Sequence, residues 1–367
     1  MLKAIFIFIT LVHGLIHFMG FSKAFGYGNI TQLTKEISKP MGVLWFITAL
    51  LFIFCIALYL FKKDSWVYFA LIAVVLSQIL ITLVWKDAKF GTILNVIVLA
   101  VAITSWATYH FKMVFEADVK NHLSRSNFSN TDLLTEADIA KMPYPVQKYI
   151  LYSEAIGKPK AKNMKITFDG QMREKGKDFF KFNSVQYNFF DDPTRLFFMN
   201  AKMFGIAVPV YHCYQNATAT MQVKLLGLFD VVNVKGTEMN KAETVTVFND
   251  MCLMAPASLI DRRIEWTAID DLSAKATFTN GVNKISATLY FNEHGQLINF
   301  VSDDRYVIGD MKQYRFSTPV KEYSKINRRN IWQYGETIWH YPDGEFVYGK
   351  FYLKSIEYNV PDFNNKL

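Results

Sequence analysis

The sequence has few cysteines and lacks the short motifs of common nucleotide-binding and hydrolytic enzymes. Its three cysteines, Cys55, Cys213 and Cys252, contain no C-x-x-C pair, and only the last two could form a disulfide, in an extracytoplasmic domain. There is no G-x-x-x-x-G-K-S/T loop, no strand–G-x-G-x-x-G–helix unit and no G-x-S-x-G elbow. We therefore expect neither a nucleotide enzyme nor an α/β-hydrolase, and we expect no cofactor and no metal.

The net positive charge is small over most of the chain. The net charge is +8, of which residues 1–111 carry +5 from eight lysines and three acids, so the other residues carry only +3. Nucleic-acid binding needs a clustered basic surface on a folded domain. The lysines of the N-terminal third lie instead between apolar stretches, so we expect no nucleic-acid partner.

Long apolar stretches occupy the N-terminal third. Four of them, at residues 4–21, 43–61, 66–85 and 91–109, contain at most two or three strongly polar side chains each. About 20 helical residues cross a bilayer, and helices satisfy their own backbone hydrogen bonds there. The sequence thus predicts a four-helix transmembrane domain over residues 1–111, with the lipid bilayer as its partner. A cleaved signal peptide is the alternative for the first stretch, but no small-residue cleavage pattern follows it.

Loop charge does not settle the side of the membrane. With the N-terminus inside, six basic residues flank the inner side and five the outer side. The positive-inside rule therefore does not discriminate between the two orientations. The very short N-terminus tilts the prediction slightly towards a multi-pass protein of the cell membrane with a cytoplasmic C-terminal domain.

The polarity of the chain changes after residue 111. Residues 112–134 are polar and indicate a linker, and residues 135–367 predict a soluble β-rich domain that begins with short helices. About eleven strands are expected from Met164 onwards, interrupted by one helix near residues 241–254. The fold class is therefore a membrane helical bundle followed by an α+β domain dominated by an antiparallel sheet.

The clearest strand signal is a hairpin in the second half of this domain. Small or apolar residues alternate with polar ones over residues 274–279 and again over 284–291. Asn280-Gly281 between them predicts a two-residue turn, because both residues tolerate positive φ. One apolar and one polar face is typical of an antiparallel sheet with a single buried face.

Several runs of the sequence resemble an uncharacterised bacterial membrane-protein family. The matching runs are HGLIH at 13–17, DAKFGT at 87–92, IDD at 269–271, AKATF at 274–278, DRY at 304–306 and PDGEF at 342–346. The resemblance implies membrane helices before a C-terminal domain of unknown function, and it brings no assigned catalytic residues. The strand succession is also loosely similar to periplasmic lipoprotein carriers, which implies a half-closed barrel but fixes no function.

Two histidines lie inside the first apolar stretch. His13 and His17 are four residues apart, so they share one face of a helix. Ionisable groups in a membrane segment are functional candidates, and neutral imidazole can bind metal or haem iron or relay protons. Three interpretations stay open: hydrogen bonding between helices, proton or quinone-type chemistry, and metal or haem binding. The first is favoured, with Gly14 and Gly20 available for close helix packing.

Aromatic residues are dense at the start of the β-rich domain. Twelve of the 51 residues from 164 to 214 are Phe or Tyr, and over residues 178–190 they fall on both faces of a strand. Leaving such side chains in water costs about 25 cal/mol per Å². The second face is therefore covered either by helices or by a ligand in an apolar cavity. The candidate ligand-binding residues are Phe180, Phe182, Phe190, Phe198, Tyr211 and Arg305.

These patterns favour a membrane-tethered β-domain that binds an apolar or lipid-like ligand. Two alternatives stay open. A membrane enzyme acting on a lipidic substrate requires Asp271, Arg305 or His212 to converge with another polar group in one pocket. A scaffold for another membrane protein is the third possibility. Because no convergent catalytic groups are visible in the sequence, a role without catalysis is favoured.

Overall fold

Helices make up the N-terminal part of the protein. The computed structural model describes residues 2–126, 131–203 and 205–363. The helices of this part are α1 (Leu2–Ile16), α2 (Phe18–Phe25), α3 (Lys39–Leu60), α4 (Trp66–Leu83), α5 (Trp85–Ala88) and α6 (Gly91–Arg125). Four helical segments are long and apolar enough to cross a membrane, with α1 and α2 counted as one segment. The prediction of four apolar N-terminal helices is confirmed.

The sixth helix extends beyond its predicted end. α6 continues through residues 112–125, which the sequence analysis assigns to a linker. Within that polar segment Phe115, Val119 and Leu123 recur at every fourth position, and all three are buried. This spacing gives the segment an apolar helical face. Residues 112–125 are therefore helix rather than linker, and residues 127–130 lie outside the described residues.

The C-terminal part is mainly β-structure. It begins with α7 (Glu136–Ile139) and α8 (Tyr144–Tyr152), and α9 (Thr237–Met254) interrupts the strands near the predicted position. The strands before α9 are β1 (Asn163–Met172), β2 (Phe180–Phe189), β3 (Thr194–Met203), β4 (Ile206–Gln215), β5 (Thr218–Leu225) and β6 (Phe229–Lys235). The strands after it are β7 (Ile264–Asp270), β8 (Ser273–Asn280), β9 (Asn283–Phe291), β10 (Leu297–Ser302), β11 (Tyr306–Val307), β12 (Lys312–Gln313), β13 (Arg315–Ser317), β14 (Val320–Lys321), β15 (Ser324–Ile326), β16 (Arg329–Ile331), β17 (Tyr334–Tyr341) and β18 (Gly344–Tyr358).

The described residues thus form eighteen strands, where about eleven are predicted. Six of the eighteen, β11 to β16, have only two or three residues. A segment that short cannot display the period-two alternation by which strands are recognised in a sequence. The difference in number therefore comes mainly from these short strands.

Fourteen of the strands form one antiparallel sheet. Its order is β6-β5-β4-β3-β2-β1-β18-β17-β13-β10-β9-β8-β7, with β14 paired to β17. α9 packs against β5 and β6 near one end of this order and against β9 and β10 nearer the other end. The sheet therefore curves around α9. The prediction of a domain dominated by an open antiparallel sheet is confirmed.

The hairpin of β8 and β9 turns one residue later than predicted. Asn280 pairs with Asn283, so the two loop residues are Gly281 and Val282. Gly281 has a φ of +57°, and a glycine at the first loop position suits a type II′ turn. The alternating apolar residues of both strands are buried, as the pattern predicts.

The chain divides into two compact units. The first, called here the helical unit, comprises residues 1–111 and 226–228. The second, called the β unit, comprises residues 112–225 and 229–367.

Candidate functional site

A cavity of about 470 Å³ lies in the β unit, lined by strands of the curved sheet and by α9. Its volume falls in the range of roughly 300–1,000 Å³ typical of small-molecule sites. Most of the lining side chains are apolar, and five of them are methionines: Met172, Met199, Met203, Met221 and Met254. Methionine side chains are flexible and polarisable, so such a wall adapts to ligands of different shape.

Along strand β3 the residues that line the cavity change in exposure and in polarity. Alternate residues of a strand point to the same face, and on β3 the residues that line the cavity run from Arg195 to Met203. Arg195 is 8% exposed, whereas Met203 is 41% exposed. Eight residues of strand cover about 26 Å. The cavity wall therefore leads from a buried charged end to a more exposed apolar end.

A buried ionic cluster occupies the charged end. Arg195 donates from Nε to Asp250 Oδ2 at 2.8 Å and from Nη1 to Glu243 Oε2 at 3.2 Å. Gln186 and Asn188 also donate to Asp250 Oδ2, at 2.7 and 3.1 Å. All five side chains are buried. A charge that is buried must be paired and hydrogen-bonded to be tolerated, and this cluster meets that condition.

Both acids come from one face of α9. Glu243, Thr246 and Asp250 recur at spacings of three and four residues, which places them on the same side of a helix. All three line the cavity. The helix thus brings two carboxylates to a wall that is otherwise largely apolar.

The two carboxylates respond to this environment in opposite ways. Burial by itself raises the pKa of Glu243, but the neighbouring His212, Arg195 and Arg305 outweigh that effect and lower the pKa to about 2. For Asp250 burial is the dominant effect, and it raises the pKa despite the opposing influence of Arg195 and Asn188. The ionised form is therefore favoured at Glu243 and disfavoured at Asp250.

Three further basic side chains line the same cavity, Arg173, His212 and Arg305. His212 Nδ1 lies 3.5 Å from Glu243 Oε1, in a geometry that falls short of a hydrogen bond. The guanidinium of Arg305 lies 4.1 Å from the centre of the Phe316 ring, and its Nη1 donates to the Tyr348 hydroxyl at 2.6 Å. Of the groups that the enzyme alternative requires, His212 and Arg305 therefore lie in one cavity with Glu243.

The predicted ligand-binding residues are distributed between the cavity and its surroundings. Phe180 and Arg305 line the cavity. Phe182 packs beside Phe197 in a separate apolar cluster, and Phe190 belongs to the main core of the β unit. Two of the predicted residues thus line the cavity, and two others are buried in apolar clusters without lining it.

The remaining two predicted residues lie on the opposite face of the sheet, which α6 covers. The Phe115 ring of α6 lies 5.5 Å from the ring of Phe198 and 5.6 Å from that of Tyr211, measured between centres. Tyr211 also donates from its hydroxyl to Asp118 of α6 at 2.7 Å. Both coverings considered in the sequence analysis are therefore present, a helix on one face and a cavity on the other.

Sequence reasoning missed Arg195, Glu243 and Asp250. The available signal was the pair of acids seven residues apart on a helix that also carries Val245, Phe248 and many other apolar residues. A helix of that kind is buried, so its acids need a buried partner. Nothing in the sequence connects Arg195 to them, because it lies 48 residues before Glu243.

The two histidines of the helical unit form a buried hydrogen-bonded network. His13 Nε2 lies 2.8 Å from Asn95 Oδ1 and 3.2 Å from Ser77 Oγ. His17 Nε2 lies 2.9 Å from Ser77 Oγ, and its Nδ1 lies 2.8 Å from the His13 carbonyl oxygen. One proton assignment satisfies every pair: His17 Nδ1 donates to the carbonyl, Ser77 donates to His17 Nε2, and His13 Nε2 donates to Asn95 and Ser77. The network joins α1, α4 and α6.

Comparison with protein families gives one match. A family model described as a family of unknown function (DUF6544) matches residues 132–351. That range contains every residue that lines the cavity. No curated protein matches the sequence.

Comparison with solved structures gives remote similarities. A domain from Vibrio parahaemolyticus described as an outer membrane lipoprotein-sorting protein is 7% identical, with 54% of this chain and 86% of that chain covered and a TM-score of 0.31. A LolA superfamily protein from Nitrosomonas europaea is also 7% identical, with 59% and 94% covered and a TM-score of 0.33. Neither similarity bears on what this chain binds.

Proposed function

The chain belongs to the family of unknown function DUF6544, and we propose that its β unit binds an apolar or lipid-like molecule in the cavity beside α9. We further propose that the four apolar helices hold this unit at a membrane. The binding step involves no covalent chemistry. The ligand is taken out of water or lipid and its apolar surface is buried against the cavity wall.

The observation that carries this proposal is the composition of the cavity. Large apolar side chains such as Phe180, Phe197, Trp332 and Phe351 line it together with the five methionines. Burying apolar surface contributes about 25 cal/mol per Å². A cavity of about 470 Å³ with such walls therefore favours an apolar occupant over water.

Membrane attachment is supported by the helical unit. Its four apolar segments have 18 residues or more, and helices of that length match the hydrocarbon thickness of a bilayer. The lipid bilayer would then be both the anchor and a source of ligand.

The test is binding of a neutral apolar probe to the full-length protein. The protein is reconstituted in lipid nanodiscs and titrated with the fluorescent probe N-phenyl-1-naphthylamine, with empty nanodiscs as the blank. Ala201 lines the cavity and is 4% exposed. Ala201→Trp fills the cavity and is expected to weaken probe binding by at least tenfold. The milder Val223→Phe, at a half-buried lining position, should give a smaller loss.

The matched control is Ala268→Trp, which makes the same change at an exposed position of β7. It should leave probe binding unchanged. Lipid extraction and native mass spectrometry of the purified protein form the second readout. Saturable binding that is the same in all variants, together with no co-purifying molecule, would contradict the proposal.

A second candidate function is a lipid-directed hydrolase, and one observation favours it. The imidazole of His212 lies next to Glu243 at 3.5 Å inside the apolar cavity, and a carboxylate beside a histidine is the arrangement that orients a general base. Asp271, by contrast, is exposed and does not line the cavity. Release of p-nitrophenol from a long-chain ester should then be lost in His212→Asn while probe binding persists. No release by the wild-type protein would remove this candidate.

A further inference from the structure

Arg305 is a half-buried arginine of the cavity wall and, unlike the buried Arg195, forms no ion pair with an acid. Arg195 contacts two carboxylates, whereas no carboxylate of the described residues lies within ion-pair distance of Arg305. The acids next to it in sequence are engaged elsewhere: Asp304 pairs with Lys241 at 2.9 Å and Asp303 with Arg315 at 2.9 Å. Arg305 therefore has no direct ion pair, and the Glu243 carboxylate in the same cavity acts on it only through longer-range electrostatic attraction.

Aromatic rings fix the orientation of this guanidinium. It lies 4.1 Å from the centre of Phe316, 5.1 Å from that of Trp339 and 6.0 Å from that of Tyr348. Its Nη1 donates to the Tyr348 hydroxyl. A planar guanidinium that is stacked in this way loses little freedom on binding a carboxylate or phosphate. Arg305 is thus held in position in advance of any ligand.

Unused hydrogen-bonding atoms surround the same space. Six buried side-chain nitrogen or oxygen atoms of the described residues have no partner, and three of them belong to residues that line the cavity: His212 Nδ1, Arg305 Nε and Thr337 Oγ1. Buried polar atoms in proteins are nearly always hydrogen-bonded, so an exception needs an explanation. Arg305 and Thr337 therefore bring hydrogen-bond donors to the cavity wall that no described residue uses.

We propose that the ligand is a single-chain amphiphile with an anionic head group, a carboxylate or a phosphate, and that Arg305 binds this head group. The inference rests on the proposed function, because it assigns the polar end of the same ligand. The apolar chain then lies against the methionine-rich wall. Glu243 forms no ion pair with Arg305, because its carboxylate accepts a hydrogen bond from Arg195 at 3.2 Å.

The experiment is a head-group series on the full-length protein in phosphatidylcholine nanodiscs. Hexadecanoate, hexadecyl phosphate and hexadecanol displace N-phenyl-1-naphthylamine, each below its micelle-forming concentration. The three amphiphiles have the same chain, so differences in affinity report on the head group. Arg305→Gln is expected to weaken the binding of hexadecanoate and of hexadecyl phosphate about tenfold or more, since hydrogen bonds to charged groups are strong. Its effect on hexadecanol should stay within about twofold.

Two further variants complete the design. Arg262→Gln removes an exposed arginine outside the cavity and should change nothing. Arg305→Lys keeps the charge but not the planar stack, and should lie between wild type and Arg305→Gln. If Arg305→Gln loses more affinity for hexadecyl phosphate than for hexadecanoate, the ligand carries a phosphate. If it loses more affinity for hexadecanoate, the ligand carries a free carboxylate.

The outcomes separate the inference from the proposed function. If hexadecanol binds the wild-type protein as tightly as hexadecanoate, the head-group assignment is overturned while the cavity remains a ligand site. That comparison needs no variant, so it decides the question even if Arg305→Gln does not fold. If no amphiphile displaces the probe and the probe itself does not bind, the proposed function fails.

Discussion

Buried polar side chains are arranged differently in the helical unit and in the β unit. In the helical unit His13, His17, Ser77 and Asn95 bond to one another, and each has a partner within 3.2 Å. Asn95 extends the network by donating to Gln78 at 3.1 Å. His13 lies on α1, Ser77 and Gln78 on α4 and Asn95 on α6, and His17 lies between α1 and α2. A network closed in this way fixes the packing of helices.

In the β unit the polar side chains around the cavity are only partly satisfied. All six unpartnered buried polar atoms of the described residues belong to this unit. Three of them belong to cavity-lining residues, next to an ionic cluster that is itself fully paired. The two units thus differ: in the helical unit the buried polar groups partner one another, whereas in the β unit three unpartnered groups belong to residues that line a cavity.

The largest expected effect is on the ionic cluster, at Glu243. Because the folded protein lowers the pKa of Glu243 from 4.5 to about 2, the ionised form stabilises the native state above pH 4.5. That contribution is lost as the pH falls from 4.5 towards 2. Glu243→Gln should therefore lower the free energy of unfolding by about 3 kcal/mol at pH 7. This difference in the free energy of unfolding is measured by denaturant unfolding of the full-length protein in detergent.

Asp250→Asn is the matched comparison. The pKa of Asp250 is raised by burial, so its ionised form costs stability above its ordinary pKa, which is the opposite sign to Glu243. The amide introduced by the substitution keeps one acceptor oxygen and removes the charge. Asp250→Asn should therefore lower the free energy of unfolding clearly less than Glu243→Gln does. An equal or larger loss would show that both acids support the fold in the same way.

Much of the fold could be predicted from the sequence because its determinants are local. Apolar runs of helix length identify the four long helices, and period-two alternation identifies β8 and β9 with their buried faces. The segment 112–125 was harder, since its polar residues mask the buried face of Phe115, Val119 and Leu123. In that segment the four-residue spacing of apolar positions was a better guide than average polarity.

The site could be predicted only in part, because it depends on long-range pairing. Dense aromatic residues indicate a cavity, and Phe180 and Arg305 do line it. The same density cannot tell the cavity face from the face under α6, so Phe198 and Tyr211 look equivalent to Phe180. The Arg195–Glu243–Asp250 cluster brings together residues from β3 and α9, and such pairing across the fold leaves no local pattern.

A smaller effect is expected at the helix contact of Gly20. A Cβ atom added there would lie 2.2 Å from Cδ2 of Trp45, which forces the helices apart. Gly20→Ala should lower the free energy of unfolding of the helical unit by about 2 kcal/mol, because an added side-chain atom overpacks this contact. Gly309→Ala is the control, because its Cβ would meet no atom within 4 Å. Probe binding in the β unit should be unchanged. A loss of binding would break the distinction between a packing region and a ligand region.

The smallest effect is expected in the polar network of the helical unit. Asn95→Leu removes the hydrogen bonds to His13 and Gln78, and hydrogen bonds between membrane helices contribute about 1 kcal/mol or less each. The free energy of unfolding in detergent should therefore fall by about 1 kcal/mol. The control Val96→Leu, at a position that is 58% exposed, should leave it unchanged. Affinity for the anionic amphiphiles should stay the same. If it falls with Asn95→Leu and not with Val96→Leu, the closed network does more than hold helices together.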